Sequence, residues 1–115
     1  MDNNPIDPER VEAVAARVRQ AAIDSLGEKL DKVYLYDVNV GAYDGPDFSF
    51  LIVAHIPENE TAEERSKIRK HTRHVDLEHE VLYYCRVTGS DHFYKYANTS
   101  ESFKSAVEEG TLLYG

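Results

Sequence analysis

Three side chains that could bind a metal ion lie close together in the second half of the chain: His71, His74 and Glu78. Spacings of three and four residues place them on one flank of a helix. Two imidazoles and a carboxylate are ligands that zinc accepts. The surrounding segment is rich in lysine and arginine, so the alternative is a solvated helix face with incidental histidines. We prefer that alternative and keep the triad as a candidate zinc site.

Three acids form a second candidate metal site: Asp37, Asp44 and Asp47. Carboxylates are the hard oxygen ligands that Mg²⁺ binds, and Asp76 could add a fourth. However, residues 41–47 contain two glycines, two aspartates and a proline, a composition typical of a turn. We prefer the turn interpretation, in which these carboxylates bind no metal.

A strand, a short loop and a second strand over residues 32–56 must position these acids. The first strand alternates between aliphatic residues such as Val33 and tyrosines such as Tyr34, so the two kinds occupy opposite faces. Residues 48–56 form an almost unbroken apolar run. Such a run is typical of a central strand that is covered on both faces.

Helical segments flank this core along the chain. An apolar stripe at helical spacing predicts an N-terminal helix within residues 1–27, and a second helix is predicted over residues 61–80. Residues 81–115 are expected to hold a third strand, two short helices and a terminal strand. The sequence therefore predicts an α/β (α+β) fold in one domain of 115 residues, with a small mixed sheet packed against helices on one side.

The order and spacing of these segments resemble the minimal nucleotidyltransferases, small proteins of the polymerase-beta-like superfamily. In that family a first strand ends in Gly-Ser, a loop closes with Arg-Gly, and a second strand carries Asp-x-Asp before an apolar run. The resemblance spans most of residues 28–115. It includes the Leu-Glu turn at residues 77–80, His92-Phe93-Tyr94, and the ending Glu109-Gly110-Thr111-Leu112-Leu113-Tyr114-Gly115.

At the positions that match the family's catalytic motifs, this sequence carries other residues. Tyr36-Asp37 stands where Gly-Ser belongs, Gly41 closes the loop, and Phe48-Ser49-Phe50 stands where Asp-x-Asp belongs. Nucleotidyl transfer uses two divalent cations held between carboxylates, and neither phenylalanine can bind Mg²⁺. The resemblance therefore implies a nucleotidyltransferase-like fold with a degenerate active site.

Composition limits the remaining functions. The net charge of -8 works against binding to nucleic acid, because affinity for phosphates comes from clustered lysine and arginine. No apolar run approaches the ~20 residues of a membrane span, and the N-terminus MDNNPIDPER has no secretory pattern. Cys85 is the one cysteine and is expected to be a small core residue in a reducing compartment. We expect a cytoplasmic protein without nucleic acid or membrane partners.

Aromatic residues indicate how such a domain could act. The chain has 8 tyrosines, and rings of this kind are enriched where proteins meet. Together with Phe48 and Phe50, which we expect to line the former pocket, they predict an apolar contact surface. The predicted function is therefore that of a catalytically inactive, antitoxin-like domain that binds a protein and uses no cofactor.

The partner that the resemblance implies is a small helical, toxin-like protein, because minimal nucleotidyltransferases are commonly encoded with one and act as its antitoxin. A second copy of this chain, in a homodimer, is the other expected partner. Two alternatives stay open. One is an active nucleotidyltransferase that uses Mg²⁺ and ATP through relocated ligands; the other is a sensor domain that binds a small molecule in the apolar pocket.

Overall fold

Residues 8–38, 48–79 and 83–115 are described in the computed structural model of the chain, with only the backbone described at residues 8, 10, 48 and 73–79. The elements are α1 (Pro8–Leu26), β1 (Leu30–Tyr36), β2 (Phe48–Ala54), α2 (Thr61–His79), β3 (Tyr83–Gly89), α3 (Ser90–Tyr96), α4 (Glu101–Glu109) and β4 (Thr111–Tyr114), with 3-10 turns at Gly27–Lys29 and Glu58–Glu60. The α/β fold class is confirmed. The third strand, β3, lies within residues 81–115, where the sequence predicts it.

The four strands form one mixed sheet in the order β3-β2-β1-β4. β1 pairs antiparallel with both β2 and β4, whereas β2 and β3 run parallel. A parallel pair needs a crossover connection, and α2 supplies it. The apolar run of β2 therefore lies inside the sheet, as its composition predicts.

Helices cover both faces of the sheet. One buried cluster joins Val33, Leu35, Phe50 and Ile52 to α1 and α2, and the other joins Tyr34, Tyr36, Leu51 and Val53 to α3 and α4. The expectation of helices on one side is wrong. The second face is covered because Phe93 and Phe103, from the two short helices, bury the tyrosine face of β1. From sequence alone, tyrosines are expected on a half-covered sheet face.

Local sequence signals account for the ends of two helices. α1 buries Val14, Val18 and Leu26 and is followed by Gly27, whose φ of +54° is the left-handed conformation that favours glycine after a helix. The side chain of Ser100 accepts a hydrogen bond from the backbone N–H of Phe103 at 3.5 Å and so caps α4.

None of the helices in the described stretches combines the length and the apolar character that crossing a membrane requires.

Replacing Phe50 tests whether this double-sided core stabilises the fold. Phe50 has no exposed surface, so Phe50→Ala should leave a cavity and lower the free energy of unfolding by about 3–5 kcal/mol. Urea denaturation measures this change. The matched control is Val38→Ala, which truncates a side chain that is 47% exposed and should change stability by less than about 0.5 kcal/mol. Equal effects of the two substitutions would contradict the assigned core.

Candidate functional site

The carboxyl end of β1 carries the residues that match the family's Gly-Ser. Tyr36 is buried in the cluster beneath α4, and burial, followed by the charge of Asp37, raises its pKa above the ordinary value of 10.0. Asp37 has a φ of +49°, a conformation that aspartate tolerates better than most residues. Its Oδ1 accepts a hydrogen bond from Ser105 Oγ at 3.1 Å. The buried ring of Tyr36 and the hydrogen-bonded carboxylate of Asp37 therefore occupy this position.

Phe50 lies in the interior, at the second position that matches Asp-x-Asp. It is fully buried and packs edge-to-face against Tyr83, with ring centroids 5.6 Å apart. The expectation that Phe50 lines an open apolar pocket is wrong, because α1 and α2 cover this face of the sheet. The side chain of Phe48 and the loop residue Gly41 lie outside the described residues.

The displaced acidic site rests on one described residue. Asp37 is exposed, whereas Asp44 and Asp47 lie outside the described residues and Asp76 is described only by its backbone. Ser49, the hydroxyl residue of the segment that matches Asp-x-Asp, is 6% exposed and shares its face with Leu51 and Val53. The side chains of the other three acids lie outside the described residues, so this metal site stays a prediction.

Of the predicted zinc triad, the structure describes the side chain of His71. It is exposed on α2 and borders a cavity of about 140 Å³ together with Arg17, Gln20, Ala21 and Asp24. The side chains of His74 and Glu78 lie outside the described residues, so the triad stays a prediction. Within the described part of the chain, no three His, Cys, Asp or Glu residues are grouped as a metal site.

A polar cluster that the sequence did not indicate lies where the parallel strands β2 and β3 end. His55 Nδ1 is 2.9 Å from Ser90 Oγ, and His55 Nε2 is 4.0 Å from Asp31 Oδ2. Asp31 also accepts a hydrogen bond of 2.7 Å from the Tyr94 hydroxyl. His55, Ile56, Pro57, Ser90 and Asp91 line a cavity of about 430 Å³ here. In open, mostly parallel α/β sheets, ligands bind outside the carboxyl ends of the strands, and this cavity has the corresponding position beside the one parallel pair.

The same corner is fixed by Glu58. Its Oε1 accepts hydrogen bonds from the Gly89 backbone N–H at 2.6 Å and from Thr88 Oγ1 at 3.0 Å. Gly89 permits the close approach of Ile56, since a Cβ at residue 89 would lie 2.5 Å from the carbonyl oxygen of Ile56 and 3.3 Å from Glu58 Oε1. The hydroxyl of Ser90 beside the imidazole of His55 provides the two groups of a nucleophile and a general base. Yet 4.0 Å exceeds a hydrogen bond between Asp31 and His55, so the carboxylate does not orient the imidazole as in a catalytic triad.

Cys85 is fully buried in the cluster beneath α1 and α2. Burial raises the pKa of its thiol to about 12, although Arg65 and Arg69 act in the opposite direction. A thiol held in the protonated form is a poor nucleophile. The structure thus agrees with the expectation that Cys85 is a core residue.

Six large apolar or aromatic side chains of the described residues are exposed: Val38, Tyr84, Tyr94, Tyr96, Val107 and Leu112. The tyrosines therefore divide between core and surface, because Tyr34, Tyr36 and Tyr83 are buried. Tyr94 and Tyr96 lie on α3, and Leu112 lies on β4. Among the described residues, α3 therefore exposes two tyrosine rings, which lie two positions apart on the helix.

Comparison with protein-family models, curated proteins and solved structures gives no match. The resemblance to minimal nucleotidyltransferases therefore rests on the sequence motifs given above.

The contact between Tyr94 and Asp31 predicts a shifted titration. Partial burial, and then the hydrogen bond and charge of Asp31, raise the pKa of Tyr94 to about 12. Because the folded-state pKa is raised, any stability from this contact is present below pH 10.0 and is lost as the pH rises through about 12. Asp31→Asn removes the charge, so the pKa of Tyr94 should fall toward 10.0. NMR titration of the tyrosine ring carbons measures it, with Asp24→Asn as the control; an unchanged Tyr94 in Asp31→Asn would refute the contact.

Proposed function

We propose that the chain is a catalytically inactive domain with a nucleotidyltransferase-like fold that acts by binding another protein. The observation that carries this proposal is the burial of Phe50. A residue that holds catalytic metal ions must offer oxygen atoms to a site that substrate can reach. Phe50 instead offers a ring with no exposed surface.

The end of β1 gives independent support. Family members need close approach of phosphates to a Gly-Ser backbone, as the resemblance implies. Here the exposed carboxylate of Asp37 would repel a phosphate, and its bond to Ser105 attaches β1 to α4. The segment therefore contributes to the fold in a way that opposes nucleotide binding.

The two tyrosines that α3 exposes are candidate contact residues. Tyr94 and Tyr96 are 54% and 39% exposed, and tyrosines contribute much of the binding energy at many protein interfaces. The resemblance implies a small, helical, toxin-like partner in the cytoplasm. A reducing compartment is compatible with the buried free thiol of Cys85.

The two alternatives have weaker support. Relocated metal ligands would need oxygen atoms close to Asp37, and the described neighbour of its carboxylate is the Ser105 hydroxyl. A sensor would need an apolar pocket at the former site, where Phe50 fills the interior. The cavity beside His55 is lined by polar and apolar residues alike.

Incubation with labelled ATP and Mg²⁺ or Mn²⁺ tests the loss of transfer. The expected result is that neither the chain nor an added protein becomes labelled. Labelling that disappears in Asp37→Ala or Asp47→Ala would overturn the proposal in favour of the relocated active site. An active minimal nucleotidyltransferase is the positive control for the assay.

Co-expression tests the protein partner. If the small helical protein is encoded by the neighbouring gene, it should co-purify with this chain in a defined ratio. Tyr96→Ser should weaken this binding about fivefold or more, because truncated aromatic anchors typically cost more than 1 kcal/mol. Val38→Ser, which removes an exposed side chain at the end of β1, is the matched control. Absence of a complex with that protein would contradict the antitoxin-like assignment.

A further inference from the structure

The two edges of the sheet differ in how they are protected. At the β3 edge, Arg65 Nε donates to the Cys85 carbonyl oxygen at 2.6 Å, and Glu58 accepts from the Gly89 N–H at 2.6 Å. At the other edge, β4 pairs with β1, and within the described residues nothing pairs with its outer side. An uncovered edge is a template for a further strand.

A groove runs between this open edge and α1. It has a volume of about 370 Å³ and is lined by Glu12, Ala15, Ala16, Arg19, Leu112 and Leu113. Leu112 is 48% exposed. α1 packs against α2 on its other flank, so the flank with Glu12 and Arg19 faces away from the body of the protein, toward the β4 edge.

We infer that two copies of this chain associate through their β4 strands and α1 helices. A continuous sheet with two-fold symmetry places its axis perpendicular to the sheet, between antiparallel β4 strands. The two α1 helices then lie on the same face of the sheet and run antiparallel. The exposed Leu112 side chains and both grooves become part of one interface.

Charge complementarity is the reason to choose a second copy as the occupant. Glu12 and Arg19 are seven residues apart, which is about two helical turns, and both are exposed. When two α1 helices run antiparallel, Glu12 of one copy faces Arg19 of the other copy, and the symmetry repeats the pair. The small side chain of Ala16, which is exposed, lies between these charges and permits close packing of the helices.

The net charge makes this local complementarity important. Two copies with a net charge of -8 each repel one another over their surfaces. Association is therefore favoured by an interface in which opposite charges of the two copies face each other. The inference deepens the proposed function, since it names one protein partner, and it rests on the chain acting by contact.

Analytical ultracentrifugation of the purified chain over a concentration series tests the association. The expected result is a reversible monomer–dimer equilibrium. Leu112→Lys should weaken the dimer at least about tenfold, because lysine on an edge strand opposes pairing. A chain that stays monomeric at all concentrations would overturn the inference.

Charge reversal tests the geometry. Glu12→Arg and Arg19→Glu should each weaken the dimer about tenfold, because like charges then meet twice across the two-fold axis. Mixing these two variants should restore association, since every Arg then faces a Glu. Arg17→Glu is the matched control: it makes the same change on the flank of α1 that faces α2 and should leave the dimer unchanged. Circular dichroism verifies that each variant is folded.

Two outcomes contradict the arrangement: dimers that are insensitive to both reversals, or variants that do not associate preferentially when mixed. These measurements are separate from the ATP assay. A monomeric chain that transfers no nucleotide overturns the inference and leaves the inactive domain standing. A dimer that transfers nucleotide overturns the proposal of an inactive domain and leaves the dimer inference standing.

Discussion

Burial of β2 on both faces is the constraint on which this structure depends. Residues Phe50 to Ala54 have no exposed surface, and they alternate between the two clusters that α1 and α2 form on one side and α3 and α4 form on the other. Each large apolar side chain buried in this way contributes about 1.5–3 kcal/mol. The strand pairs with β1 and β3 along its length. A substitution in β2 therefore alters the packing of one of the two clusters and of the strands beside it.

The same constraint determines which side chains the strand can carry at the positions that match the family's Asp-x-Asp. A strand with one face open to solvent can carry carboxylates on that face and apolar residues on the other. β2 has no such face, because Phe50 packs against Tyr83 beneath the helices. Burying an unpaired carboxylate at this position would cost far more than burying a ring. The packing that stabilises this fold therefore excludes a metal-binding acid at residue 50.

Sequence reasoning succeeded where a single element carries its own signal. Helical periodicity located α1 and α2, and alternation in β1 assigned Val33 and Tyr34 to opposite faces. Sequence reasoning did not predict contacts between elements that are distant in the chain. α3 and α4 have 7 and 9 residues, and their contribution to the second layer depends on single rings such as Phe93. Likewise, His55 and Ser90 are 35 positions apart, and it is the β2–α2–β3 crossover that brings them together.

Contacts from neighbouring elements distinguish the two edges of the sheet. β3 follows directly on α2, so Arg65 and Glu58, which precede β3 in the chain, lie beside its backbone and bond to it. β4 forms the other edge of the sheet, and within the described residues nothing pairs with its outer side. A strongly acidic surface then limits non-specific pairing at this edge, because like charges keep copies apart. In the proposed dimer, the contacts between Glu12 of one copy and Arg19 of the other oppose that repulsion.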